Sequence, residues 1–292
     1  MNFFQFIKKF PTEQKIIDYF IEARYKKLQC NHCGCVRIYK YSNEERKKVF
    51  RCAECNRDFS IFKGTIFEKS DTDLRKWFYA IHLFLNDKKG ISAKQLEREI
   101  GVTYKTAWRM LHQIRKAMGN RKNDDDDDFM NSIIEVDEVY LGVKAENKHM
   151  SERVKAKGKF KKDIVLGMLE RTKRVKAFQI DNATSCIIYE KIVDNIKTGS
   201  RIITDEHKSY YWLSNRFHHE VVNHSKAEYK KNKDTHTNSI ESFWAILKRG
   251  IYGVYHHISS KHLPNYLNEF CFRYNERNND CVFDKLLKQC TL

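Results

Sequence analysis

Apolar residues recur along this chain at two different periods, first helical and later alternating. Leu74, Trp77, Phe78, Ile81, Leu83, Phe84 and Leu85 fall at helical spacing behind Ser70-Asp71-Thr72-Asp73, a set of N-cap side chains, and predict one buried helix. A short helix over Ser92 to Ile100 follows, capped by Ser92. Gly101-Val102-Thr103 then turns the chain, and Thr103 caps a further helix. In that helix Ala107, Met110, Leu111, Ile114 and Met118 form the apolar stripe, leaving Tyr104, Lys105, Arg109, Gln113, Arg115 and Lys116 outside. From Ile133 the pattern changes to strands at 133–141, 163–169 and 175–180, a helix over 185–196, a strand at 201–204 and one more within 217–223. Helical periodicity returns at 236–248 and 259–275. Three neighbouring strands, a helix, further strands and closing helices predict a mixed α/β layer fold for this part.

A helix, a glycine turn and a second helix with a basic outer face is the helix-turn-helix pattern, in which the second helix enters the major groove of DNA. The charge agrees with it. Fifty-five Lys and Arg against 38 Asp and Glu leave the 292 residues at +17. Such a field attracts polyanions and favours nucleic acid as partner. No apolar run reaches the roughly 20 residues that span a bilayer, and the N-terminus lacks signal-peptide order, so the expectation is an intracellular protein without a membrane partner. The five consecutive aspartates Asp124 to Asp128 repel one another and stay solvated, as a linker does. The predicted organisation is an N-terminal helix and cysteine-rich ribbon over 1–69, a helical DNA-binding segment over 70–122, an acidic linker over 123–131 and the α/β domain over 132–292.

Five of the nine cysteines lie between Cys30 and Cys55. Cys30 and Cys33 form one CxxC pair and Cys52 and Cys55 another, with 18 residues between the pairs. Each pair aims two thiolates at one point, and an intervening hairpin brings the second pair round to complete a tetrahedral zinc site. Short alternating stretches at 36–41 and 48–51 supply that hairpin, so a zinc ribbon is expected, with His32 and Cys35 as bystanders.

Three acidic residues have a setting that suits chemistry. Asp137 interrupts the apolar strand Ile133 to Tyr140, where a carboxylate is expensive unless it binds something. Asp205 appears as the apolar strand Arg201 to Thr204 ends, the edge of a sheet at which ligands gather. Glu241 stands off the stripe of Ile240, Phe243, Trp244 and Leu247, and Lys248 follows it by two helical turns on the same side. Three such carboxylates converging on one strand end can hold two Mg2+ or Mn2+ ions for phosphodiester chemistry. Glu138, Asp163 and Asp181 lack a comparable setting and are read as structural.

These residues resemble the bacterial insertion-sequence transposases that carry a zinc ribbon and an RNase H-like DDE core, and the related Merlin transposons of eukaryotes. The similarity is densest over Phe59 to Phe67 with Leu74 to Trp77, over Val136 to Gly142, and over His236 to Trp244 continuing through Leu247 to Gly253. The resemblance implies that Asp137 and Asp205 are the two aspartates of the triad. For the third position it leaves Glu241 or Asn238. Thirty-five residues separate Glu241 from Asp205, a usual interval in the group, and a carboxylate holds a divalent ion better than an amide does. Lys248, with Arg249 beside it, would bind DNA phosphate. Val143 and Lys161 depart from the group's glycines, which touches loop geometry. The implied activity is metal-dependent cleavage at terminal inverted repeats followed by strand transfer to target DNA, with the chain acting as a homo-oligomer. Base contacts are expected from Tyr104, Lys105 and Arg109. The alternatives are a domesticated DNA-binding regulator without transposition activity and a nuclease of RNase H fold that hydrolyses without joining.

Overall fold

The computed structural model describes residues 1–25, 27–41, 48–120, 129–142, 162–222 and 235–290. The Asp124 to Asp128 linker, Val143 and Lys161 lie outside the described residues. The chain divides into two compact units, Met1–Asp124 together with Asn278–Leu292, and Asp125–Arg277.

The first unit starts with two helices where the sequence suggests one. Helix α1 (Phe3–Lys9) opens on a reciprocal cap between Asn2 and Gln5, and α2 (Glu13–Arg24) opens on Thr12, whose hydroxyl accepts from Lys15 N. Pro11, between them, has no N–H with which to continue the first helix. A three-stranded antiparallel sheet of β1 (Ile38–Lys40), β2 (Val49–Cys52) and β3 (Asp58–Ser60) forms the ribbon. Its third strand was not expected from the sequence: three residues are too few to show a period.

Helix α3 (Leu74–Asn86) takes its cap from Asp73, α4 (Ala93–Ile100) from Ser92 and α5 (Tyr104–Met118) from Thr103, as their side chains predict. Leu83 and Leu85 of α3 are half-buried, so the buried face is completed by Ala80 and His82. Gly101 closes α4 at φ +59° and ψ +55°, left-handed values that a Cβ disfavours. The stripe of α5 is buried as expected. Arg115, expected outside, is buried as well, with its guanidinium 5.4 Å from the centre of the Phe84 ring. Its position, four residues after Leu111, continues the stripe, and a guanidinium packs flat on an aromatic face.

The last helix, α9 (Val282–Gln289), belongs to this first unit, whereas the sequence reading carries the α/β domain to residue 292. Phe283 supplies the reason, since its ring meets those of Phe10 and Phe78 at 5.9 and 5.8 Å. Aromatic burial of this kind outweighs proximity along the chain.

The second unit is a five-stranded sheet in the order β6-β5-β4-β7-β8. Strands β4 (Ile133–Leu141), β5 (Asp163–Glu170) and β6 (Val175–Ile180) are antiparallel neighbours, while β7 (Arg201–Thr204) and β8 (His218–Val221) run parallel to β4. This order and direction are those of the RNase H-like fold. Side chains alternate across the sheet. Val139, Leu141, Val165 and Leu169 pack with α7 (Asn238–Gly250) and α8 (Leu263–Asn275) on one face. Ile134, Val136, Leu166 and Met168 pack on the other with α6 (Ser185–Val193) and the 3-10 segment Lys208–Asn215. Among the described residues, no helix is long and apolar enough to cross a membrane.

Candidate functional sites

The four ribbon thiols converge. Cys30 Sγ lies 3.7 Å from Cys55 Sγ and Cys33 Sγ 3.5 Å from Cys52 Sγ, and all four fall within 4.8 Å of one another. A zinc ion at about 2.3 Å from each of four tetrahedral sulfurs sets them about 3.8 Å apart, so the donor set fits that ion. Cys35 stands outside the cluster, with its sulfur taking the Arg37 N–H at 3.2 Å.

In the second unit, strand β4 carries acids on both faces. Glu135 and Asp137 face α7. Glu138 faces the opposite side, where the buried Tyr210 hydroxyl donates to it. Residues 133, 134 and 135 pair in parallel with 201, 202 and 203. Asp205 follows directly after β7, the parallel neighbour of β4, and its carboxylate repels that of Asp137. Burial first, then the charges of Glu138 and Asp205, push the Asp137 pKa up to about 7, against the lowering effect of a hydrogen bond from Trp244 Nε1 at 3.0 Å. Burial, together with Asp205, likewise raises Glu138 to about 6 although the Tyr210 hydroxyl opposes the shift. Tyr210 is itself held well above its ordinary value by burial and by the three acids around it. Asp205 accepts the His207 N–H at 3.0 Å, which fixes the turn after β7.

The sequence reading takes Glu138 as structural; its charge acts on Asp137, and that of Asp205 acts on it in turn. Two adjacent acids in an apolar strand were its only visible signal. Asp163 accepts hydrogen bonds from Ser260 Oγ at 2.6 Å and Gln179 Nε2 at 3.0 Å.

Glu241 is exposed on the first turn of α7, where Thr237 Oγ1 donates to it at 3.0 Å. Among the described residues, only the ribbon cysteines form a group of three or more ligands within 4.8 Å of one another, so Glu241 does not close onto Asp137 and Asp205 to that distance. Asn238 is exposed at the start of α7, and Lys248 and Arg249 are exposed in its last turn. In the first unit Tyr104, Lys105 and Arg109 are exposed on α5, joined by Trp108, whose ring meets His112 in a tilted contact at 3.9 Å between centroids.

The start of α7 is held by a group that sequence reading missed. Glu135, fully buried on β4, accepts the Ile240 N–H at 2.9 Å and binds Arg171 Nε at 2.7 Å, while Arg171 Nη2 donates to the His236 carbonyl at 2.8 Å. A carboxylate at a helix N-terminus meets both unsatisfied N–H groups and the positive end of the helix dipole. Its partners lie 36 and more than 100 residues away in sequence, so no local pattern announces it.

Sequence comparison adds to this geometry. The profile of the ISXO2-like transposase domain matches residues 129–275, and that of a transposase zinc-ribbon domain matches residues 11–58. An uncharacterised protein in the transposable element ISH50 of Halobacterium salinarum is 26% identical over 280 residues, 91% of this chain and 92% of that protein. Among solved structures, the Mos1 strand transfer complex aligns over 73% of this chain and 74% of its own at 8% identity and a TM-score of 0.28. A pre-cleavage Mos1 transpososome aligns at a TM-score of 0.19. Overlaps this slight support no inference about the chain.

Proposed function

The chain belongs to the ISXO2-like transposases, and on that premise we propose that this DNA transposase cuts and joins strands at a divalent-metal site formed by Asp137, Asp205 and Glu241. The observation that carries the reading is that Asp137, within β4, and Asp205, just after the neighbouring parallel strand β7, are close enough for their charges to repel. Two carboxylates held in mutual repulsion, one of them largely buried, are expensive unless a cation stands between them. Oxygen donors of this kind suit Mg2+ or Mn2+. Bound there, a pair of such ions supplies activation of the attacking oxygen and stabilisation of the leaving one.

The chain's own residues do the rest. Asp137 is oriented by Trp244, and Asp205 by the turn its carboxylate caps. Glu241, carried on the pinned end of α7, is the third ligand. Asn238, one turn earlier, is the alternative donor, and an amide binds more weakly. Lys248 and Arg249 engage DNA phosphates beside the cut. In the first unit, zinc held by Cys30, Cys33, Cys52 and Cys55 keeps the ribbon folded. The exposed face of α5 reads terminal inverted repeats in the major groove, with Tyr104, Lys105 and Arg109 as contacts. Water attacks first, at the element end, and the freed 3′-hydroxyl then attacks target DNA. Joining two ends requires that both be held together, which two or more copies of the chain achieve. The chain therefore works inside the cell, where its DNA substrates are.

Incubating a labelled terminal-repeat duplex with target plasmid and Mg2+ tests this reading. Joined products that disappear with chelator support transposition. Cleavage without joining would mark a nuclease, and binding without either would mark a regulator.

A further inference from the structure

Strand β4 and helix α7 are tied at two points with matching spacing. Glu135 and Asp137 project from one strand face two residues apart, about 6.6 Å at the usual rise. Ile240 and Trp244 are four residues apart on the helix, about 6 Å along its axis. Glu135 takes the Ile240 N–H at 2.9 Å, and Asp137 Oδ2 takes the Trp244 Nε1–H at 3.0 Å.

Gly167 makes the second tie available. It pairs directly with Asp137 across the β4–β5 ladder, and the Trp244 ring lies over it. A Cβ at position 167 would stand 2.4 and 2.5 Å from the ring atoms Cζ2 and Cη2, distances that no side chain there can hold. The missing side chain is therefore the seat of the indole.

We propose that Trp244, seated on Gly167, is a positioning residue for divalent-ion binding: its indole N–H fixes the rotation of the Asp137 carboxylate, and its ring fixes the height of α7, which carries Glu241. The inference rests on Asp137 being a metal ligand, as proposed above. A carboxylate turns broadly about its last bond when nothing holds it. One hydrogen bond at Oδ2 selects an orientation, and the Glu135 tie keeps α7 from sliding. A slide of one residue would move Glu241 about 1.5 Å along the axis and turn it about 100°.

The test uses the zinc-loaded full chain, with free Mn2+ followed by electron paramagnetic resonance during titration and cleavage of a terminal-repeat duplex measured against Mg2+ concentration. Trp244→Phe keeps a ring on Gly167 and removes only the N–H donor. Gly167→Ala reaches the same contact from β5 by displacing the ring. Both variants are checked by circular dichroism for the wild-type fold. Each is expected to weaken Mn2+ binding about tenfold, as loss of a group that orients a metal ligand does, and to raise the half-saturating Mg2+ in step, with most of the rate recovered at saturation. A purely structural role would lower thermal stability and leave metal affinity alone. Trp244→Phe with wild-type Mn2+ affinity and Mg2+ dependence overturns the inference. Asp137→Asn with undiminished Mn2+ binding overturns the metal reading itself, and the inference with it.

Discussion

Glu135 and Arg171 form a buried ion pair, Oε1 to Nε at 2.7 Å, in which the carboxylate is wholly shielded from solvent. The second carboxylate oxygen goes to the Ile240 N–H, so one side chain serves a charge and a helix end together. Removing one partner of such a pair leaves the other as an uncompensated buried charge.

Arg171→Ala is therefore expected to cost roughly 3–5 kcal/mol in the second unit. Native-state hydrogen exchange is the measurement, since a two-unit chain need not unfold in one step. The β4 amides should lose about two or more orders of magnitude of protection, at about 1.4 kcal/mol per factor of ten. Unchanged exchange would mean that the pair contributes nothing.

Glu170 gives a pH prediction. Burial would raise its pKa, but the Asn131 N–H, Lys173 and Ser132 outweigh burial and hold it below the ordinary 4.5. A depressed carboxylate contributes stability that is complete above its unfolded pKa and is lost as pH falls through the folded one. The difference in melting temperature between wild type and Glu170→Gln should thus be full at neutral pH and shrink as pH falls below 4.5. A difference that stays constant through acid would contradict the ionic role.

Gly101→Ala tests the turn between α4 and α5. The added Cβ would meet only Lys76 Nζ, at an ordinary 3.9 Å, so the penalty is that of the left-handed backbone, about 1 kcal/mol. Thermal unfolding of the first unit should begin a few degrees earlier, with the zinc content unchanged.

Much of this architecture was legible because local chemistry and tertiary structure agree. Asp73, Ser92 and Thr103 cap the helices they precede, and the CxxC pairs make the cluster their spacing calls for. Asp137 and Asp205 stood out because an acid in or at the end of an apolar strand is anomalous by itself. What was not legible depended on partners distant in sequence. Arg115 looked like a surface cation until Phe84 came beneath it, Phe283 gave no sign that its helix would return to the first unit, and Gly167 looked like any glycine in a strand. Glu138 was passed over for a related reason: alternation puts it on the other face from Asp137, and only the fold brings Tyr210 and Asp205 to it.

On the DNA side, Arg109→Ala and Lys105→Ala are each expected to show the loss of a base contact rather than of a phosphate contact. Loss of a bidentate base contact costs about 1–3 kcal/mol and relaxes specificity at one position, whereas loss of a phosphate contact weakens all sequences alike and reduces the salt slope by about one. Binding isotherms on the terminal repeat and on random duplex, at several salt concentrations, separate the two. Wild-type binding by both variants would remove the exposed face of α5 from the interface.

The most direct measurement is strand transfer by wild type, Asp137→Asn, Asp205→Asn and Glu241→Gln on a terminal-repeat duplex in Mg2+, with repeat binding measured in parallel. The account predicts joined products from the wild type, lowered at least about a hundredfold in each variant, while all four bind the repeat equally. Joined products from Asp137→Asn at the wild-type rate would contradict it.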